Sequence, residues 1–213
     1  MGVRVKICGI TEETALGAAL DEGADFIGLV FFAPSPRHVE LEQAARLAEM
    51  ARGRARIVAL SVDADDEFLT QITRIVRPGY MQLHGAESPE RAAQIARMSG
   101  ARIIKAFRIR KAEDIRKAHA YAGIMDFPVF DAWVAPEKAA GLPGGTGHAF
   151  DWSVLDAWEG PYMLAGGLTP DNVREALAIT GAPMVDVSSG VEAARGRKDP
   201  RLIRQFLAAA KAQ

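Results

Sequence analysis

An aspartate at the end of an apolar run, with glycine- and serine-rich turns following it along the chain, is the reactive signature of this sequence. Met125-Asp126-Phe127-Pro128-Val129-Phe130 reads as a buried strand that delivers Asp131 at its C-terminal end. Behind it come Gly144-Gly145-Thr146-Gly147, then Gly166-Gly167, then Ser188-Ser189-Gly190. Glycine has no Cβ, so backbone N–H groups in such turns approach an anion closely, and a helix N-terminus just beyond adds partial positive charge. The chemistry implied is a phosphate cradle beside an acid, with Gly145, Thr146, Gly147, Gly166, Gly167, Ser188, Ser189 and Gly190 as its residues. One such turn is ordinary, because glycine is the default turn residue. Three in neighbouring loops concentrate backbone donors and point to a phosphate-bearing ligand.

Something must bring these distant turns together. Val3 to Cys8 is a β-branched run, and Thr11-Glu12-Glu13 then supplies an N-cap and acidic first-turn residues for a helix to about Glu22. The same alternation recurs with strands at Ala24 to Phe31, Arg56 to Val62, Tyr80 to His84 and Arg102 to Phe107. Helical spacing follows each of them, at Leu41 to Ala51, Phe68 to Val76, Ser88 to Gly100 and Ala112 to Tyr121. After the Asp131 strand, Trp152 to Trp158 reads as a helix, Tyr162 to Ala165 as a strand, and Thr169-Pro170 as the cap of the next helix. Met184 to Val187 is the eighth strand, and Leu202, Ile203, Phe206 and Leu207 mark the last helix. Alternation of this kind requires a parallel sheet with helical crossovers, and eight units close a barrel. The expected fold is therefore α/β: a single-domain (β/α)8 TIM barrel with eight parallel strands over residues 1–213, a compact version of a fold that usually takes about 250 residues. The rival, an open doubly wound sheet, needs a Gly-x-Gly-x-x-Gly turn after the first strand, where Cys8-Gly9-Ile10-Thr11 stands instead. In a barrel the chemistry sits at the C-terminal strand ends, so Cys8, Arg37, His84, Asp131 and the glycine turns share one mouth.

Composition narrows the partners. Hydrophobic residues make up 49% and charged residues 25% of the 213 positions, close to a soluble average. A net charge of −1 leaves no electrostatic footprint for nucleic acid or acidic membranes. The longest apolar run falls far short of the ~20 residues that span a bilayer. With one cysteine, no internal disulfide can form, and a cytoplasmic address is expected. The histidines His38, His84, His119 and His148 lack metal-ligand spacing, so neither metal nor cofactor is expected. A small phosphorylated substrate is the expected partner, with no nucleic acid and no membrane. The sequence does not choose between monomer and homodimer.

Six segments, in order and spanning nearly the whole chain, carry a resemblance. They are Lys6-Ile7-Cys8-Gly9-Ile10-Thr11, Ser35-Pro36-Arg37, Gln82-Leu83-His84-Gly85, Gly144 to Gly147 with Phe150-Asp151-Trp152, Leu164 to Leu168, and Asp186 to Glu192. Together they resemble the phosphoribosylanthranilate isomerases of tryptophan biosynthesis. The resemblance implies an Amadori rearrangement of N-(5′-phosphoribosyl)anthranilate to an open-chain 1-deoxyribulose 5-phosphate. It also implies Cys8 as general base and Asp131 as general acid. For that reaction the planar fork of Arg37 matches the anthranilate carboxylate, and His84 is expected to line the substrate site.

Period two along a strand places Lys6 on the face of Cys8, and Asp186 on the face of Ser188. Barrel closure makes strand eight the neighbour of strand one, so a Lys6–Asp186 ion pair is expected inside the barrel below the substrate. Two other functions are compatible with parts of the pattern. Histidine-pathway phosphosugar isomerases share the architecture but carry an aspartate at the end of strand one, where this chain has Cys8. A non-catalytic phosphate sensor needs the glycine cradle but not both an acid and a base.

Overall fold

The computed structural model describes residues 2–132 and 152–212, so Gly145, Thr146 and Gly147 lie outside the described residues. Eight parallel strands close a barrel: β1 (Arg4–Cys8), β2 (Phe26–Phe31), β3 (Arg56–Ser61), β4 (Tyr80–Leu83), β5 (Arg102–Ile109), β6 (Phe127–Ala132), β7 (Met163–Ala165) and β8 (Met184–Val187). Each pairs with the next, and β8 returns to β1 with Lys6 opposite Asp186. The described α-helices are α1 (Glu13–Asp21), α2 (Leu41–Ala51), α3 (Asp66–Val76), α4 (Pro89–Ser99), α5 (Ala112–Arg116), α6 (Val173–Thr180) and α7 (Pro200–Lys211). None is long and apolar enough to cross a membrane.

Strand periodicity sorts the core into two layers. Outward residues such as Val5, Ile27, Leu29, Ala59, Leu83 and Val185 join the helices' apolar stripes in one continuous core. Inward residues form a separate cluster that includes Phe26, Val58, Tyr80, Ile104, Phe127 and Met184. At its base the rings of Phe26, Tyr80 and Phe127 pack mutually at 5.7 to 6.2 Å between centroids. Arg4 and Arg56 stack over Phe26, so cationic stems and aromatic faces seal the bottom together. The interior is thus filled below and opens into a cavity at the strand C-termini.

Helix ends follow local chemistry. Asp65 caps α3 by accepting from Phe68 N at 2.8 Å, and Ser88 caps α4 by accepting from Arg91 N at 3.2 Å with Pro89 behind it. Four local expectations shift. Thr11 does not cap α1: its carbonyl is taken by Gln43 Nε2 at 2.8 Å, and the N-cap position falls one residue later, at Glu12, whose side chain makes no capping bond. The segment after Arg116 tightens into a 3₁₀ turn over Lys117–Tyr121, ended by Gly123 at φ +75°. Trp152–Ala157 is likewise 3₁₀ rather than α, in a segment that Gly160-Pro161 stops almost at once. Thr169 opens a turn closed by the Asn172 side chain, which accepts from Thr169 N at 2.8 Å, and α6 starts only at Val173. A short hairpin of β9 (Glu192–Ala194) and β10 (Arg197–Lys198) after β8 had no counterpart in the periodicity.

Candidate active site

A cavity of about 430 Å³ opens at the C-terminal mouth of the barrel. Cys8 reaches it from β1, Arg37 from the β2–α2 loop, and His84 from the end of β4; Asp131 reaches it from β6 and Asp186 from β8. Gly166, Gly167, Ser188 and Ser189 line the same space. Of the residues singled out in the sequence, these are brought together, while Lys6 lies directly beneath them. Gly190 is set back from the cavity, and it needs to be glycine: a Cβ there would sit 1.8 Å from the Leu168 carbonyl oxygen. The loops after β7 and β8 are therefore pressed together. Gly166 and Gly167, at φ +95° and +65°, adopt the left-handed turn that glycine permits.

Lys6 is fully buried, and its Nζ donates to Asp186 Oδ2 at 2.8 Å. Burial works against the Lys6 charge, but Asp186 and then Cys8 outweigh it and leave the ammonium above its ordinary pKa. Cys8 is 5% exposed, and it occupies a crowded strand end. A Cβ on Gly28, its neighbour on β2, would come 2.9 Å from Cys8 Sγ and 3.1 Å from Lys6 Cε. Burial pushes the Cys8 thiol up; Lys6 and Lys198 pull it down and Asp186 adds to the rise, so burial wins. Positive charge beside the thiol is present but does not dominate.

Asp131 sits at the opposite side of the mouth. Burial, aided by Asp186 and opposed by Arg108 and Lys6, raises its carboxyl to about 6. Desolvation at the apolar strand end is thus the leading cause. His84 is driven the other way, to about 4, by burial and then by Lys6, Lys105 and Arg108, which makes it a neutral imidazole at pH 7. Its Nδ1 lies 3.3 Å from Gln82 Nε2.

Arg37 lines the cavity, but its guanidinium is not idle. Nε and Nη2 donate to the two Glu192 carboxylate oxygens at 2.6 and 2.9 Å. Its stem lies across Gly9, where a Cβ would meet Arg37 Cδ at 2.6 Å.

Sequence reasoning passed over Arg108, Gln82, Glu192 and Lys198. Arg108 lines the cavity beside Asp131, its register partner on β6. Counting by twos from Ile104 and Ala106 would have turned it inward. Gln82 and Glu192 lay within quoted motifs without an assigned role. Lys198 had no signal, because only the hairpin folds it back onto Ser188. Among the described residues no His, Cys, Asp or Glu group is arranged to hold a metal.

The geometry is that of a barrel mouth with an acid, a thiol, a guanidinium and donor-rich turns facing one cavity. A family model described as N-(5′-phosphoribosyl)anthranilate (PRA) isomerase matches residues 5–209. The N-(5′-phosphoribosyl)anthranilate isomerase of Brucella canis is 50% identical over 211 residues, 98% of this chain and 94% of that protein. The crystal structure of phosphoribosyl anthranilate isomerase from Thermotoga maritima superposes with a TM-score of 0.87 at 33% identity, covering 99% of this chain and all of the other. A crystal structure of phosphoribosyl anthranilate isomerase in complex with reduced 1-(o-carboxyphenylamino)-1-deoxyribulose 5-phosphate superposes at 0.84 with 32% identity, covering 99% of this chain and 100% of that one.

Proposed function

The chain belongs to the N-(5′-phosphoribosyl)anthranilate isomerase family, enzymes of tryptophan biosynthesis, and we propose that Cys8 and Asp131 divide its proton transfers between them. The observation that carries this reading is that both line one cavity from non-adjacent strands, β1 and β6. A substrate held between them meets a carboxyl on one side and a sulfur on the other.

Asp131, protonated, gives its proton to the furanose ring oxygen as the C1′–O4′ bond breaks and the anthranilate nitrogen lone pair forms C1′=N. Cys8, as thiolate, removes the C2′ proton, and those electrons form the C1′=C2′ bond of an enolamine. Uptake of a proton at C1′ and loss of one from the C2′ hydroxyl leave the ketone, so substrate and product are isomers. The raised Asp131 carboxyl keeps an acid available near neutrality, and the raised Cys8 thiol makes its conjugate a stronger base. Carboxylate and thiol are the major resting forms at pH 7, so the reactive arrangement is a minor protonation state of the two groups.

Arg37 takes the anthranilate carboxylate, and neutral His84 lines the substrate. Gly166, Gly167, Ser188 and Ser189, with Gly145, Thr146 and Gly147, hold the phosphate through backbone donors, and Gly190 lets the loops after β7 and β8 close together behind them. The chain acts in the cytoplasm as a single barrel domain without a cofactor, as a monomer or homodimer; a similar solved structure is of monomers generated from the dimeric Thermotoga maritima enzyme. The test is loss of anthranilate fluorescence from freshly made substrate. Cys8→Ser and Asp131→Asn should each slow turnover by about 10² to 10⁴ while still folding and binding product. An inactive native protein, or variants near full rate, would reject the assignment.

A further inference from the structure

The hairpin β9–β10 takes no part in the proton transfers, yet it carries a densely bonded carboxylate beside the mouth. Glu192 accepts from Arg37 Nε at 2.6 Å and Nη2 at 2.9 Å, from Lys198 Nζ at 2.8 Å and from Gly196 N at 3.0 Å. The side chains of Glu192 and Lys198 are 5% and 1% exposed. Lys198 Nζ also donates to Ser188 O at 2.9 Å and lies 3.2 Å from Ser188 Oγ. Ser188 Oγ in turn donates to Cys8 O at 3.1 Å. One continuous set of contacts therefore runs from the guanidinium of Arg37 to the strand end that carries Cys8.

A hairpin needs no such cluster to fold. Taking charges out of water is costly, and apolar residues of similar volume often serve stability as well or better. The same hairpin also braces the Arg37 loop sterically: Gly196, at φ +83°, lets Pro36 O come within 2.5 Å of where a Cβ would stand. Bidentate bonding through Nε and Nη2 fixes the plane of the guanidinium, which a single contact would not.

We infer that Glu192 and Lys198 are positioning residues: Glu192 holds the Arg37 guanidinium in the plane that meets the substrate carboxylate, and Lys198, through Ser188, anchors the end of β1 that carries Cys8. This rests on the roles given to Arg37 and Cys8 above. The two residues share an effect on binding, because Lys198 bonds Glu192 directly, and differ in that only Lys198 reaches the Cys8 strand end through Ser188. Loss of the Glu192 charge loosens Arg37 and weakens ligand binding. Loss of the Lys198 contacts loosens Cys8 and slows turnover.

The experiment measures product affinity, KM and kcat for the native chain, Glu192→Gln, Arg37→Ala, the double variant and Lys198→Met, with circular dichroism to establish folding. Glu192→Gln should weaken product binding about tenfold, yet add less than about twofold in the Arg37→Ala background, because residues acting through one another are not additive. Lys198→Met should lower kcat about tenfold and, because Lys198 also bonds Glu192 and Ser188, weaken product binding as well. Glu192→Asp, which keeps the charge one methylene short of its partners, replaces Glu192→Gln in the same cycle if the latter does not fold. Additive losses for Glu192 and Arg37, or an unchanged kcat in Lys198→Met, would overturn the positioning roles alone. An Arg37→Ala variant with native product affinity would instead remove the carboxylate reading of Arg37, and this inference with it.

Discussion

Lys6 and Asp186 face one another across the seam where the barrel closes, register partners on β1 and β8 with Nζ 2.8 Å from Oδ2. The pair forms part of the cavity floor, with Asp186 lining the cavity and Lys6 wholly buried. Its charges reach Asp131 and Cys8 alike: Asp186 raises both, and Lys6 opposes it at each.

Removing Asp186 leaves an ammonium buried without its counter-ion. Asp186→Ala should lose about 3 to 5 kcal/mol of stability in urea denaturation. The double variant Lys6→Met/Asp186→Leu should lose clearly less, since it removes both charges. Equal losses in the two would mean that packing, rather than charge compensation, governs the seam.

Asp131 should be held at a cost in stability. Its carboxyl titrates at about 6 in the fold against an ordinary 3.8, so the folded chain binds that proton more tightly than the unfolded one. The stability it contributes is present below the ordinary value and is lost as pH rises through about 6. Asp131→Asn should therefore unfold at higher urea than the native chain at pH 8, by up to about 3 kcal/mol, with little difference at pH 4. A variant less stable than native at pH 8 would contradict the buried-charge account.

With the acid at about 6 and the thiol above its usual value, kcat/KM should rise with pH to about 6, stay level, and fall at high pH as the last proton of the pair is lost. Arg108 holds the Asp131 carboxyl down. Arg108→Gln should therefore move the lower limb to higher pH. A limb that stays in place would belong to the substrate phosphate or another group.

Gly28 has no side chain because two other side chains occupy that space. Gly28→Ala would place a Cβ 2.9 Å from Cys8 Sγ and 3.1 Å from Lys6 Cε. The expected result is a modest stability loss of about 1 to 3 kcal/mol with a disproportionate fall in kcat, measured by thermal unfolding and by the fluorescence assay. Full activity in a folded variant would show that Cys8 tolerates displacement.

Much of this was legible before any coordinates. The strand–helix alternation is local, written in period-two and helical spacing, and closure followed from counting strands. The acid at the end of β6 and the thiol at the end of β1 could be read because a barrel turns strand ends into neighbours. Elements failed where context overrode the pattern: Gly160-Pro161 cut Trp152–Ala157 to a 3₁₀ turn, and Gln43 took the Thr11 carbonyl.

Residue types, their order and their periodicity determined the barrel, the side of it that holds the site, and the family. The electrostatic state of the site was decided only in three dimensions. Whether Cys8 is pulled down by cations or pushed up by burial depends on how much water the packed mouth excludes, set by residues far apart in the chain. The occupation of Arg37 by Glu192, and of Ser188 by Lys198, depends on a hairpin that doubles back beyond β8. Local patterns specify elements because neighbouring residues share a backbone. Desolvation and charge pairing are sums over everything nearby in space, and only the folded chain defines what is near.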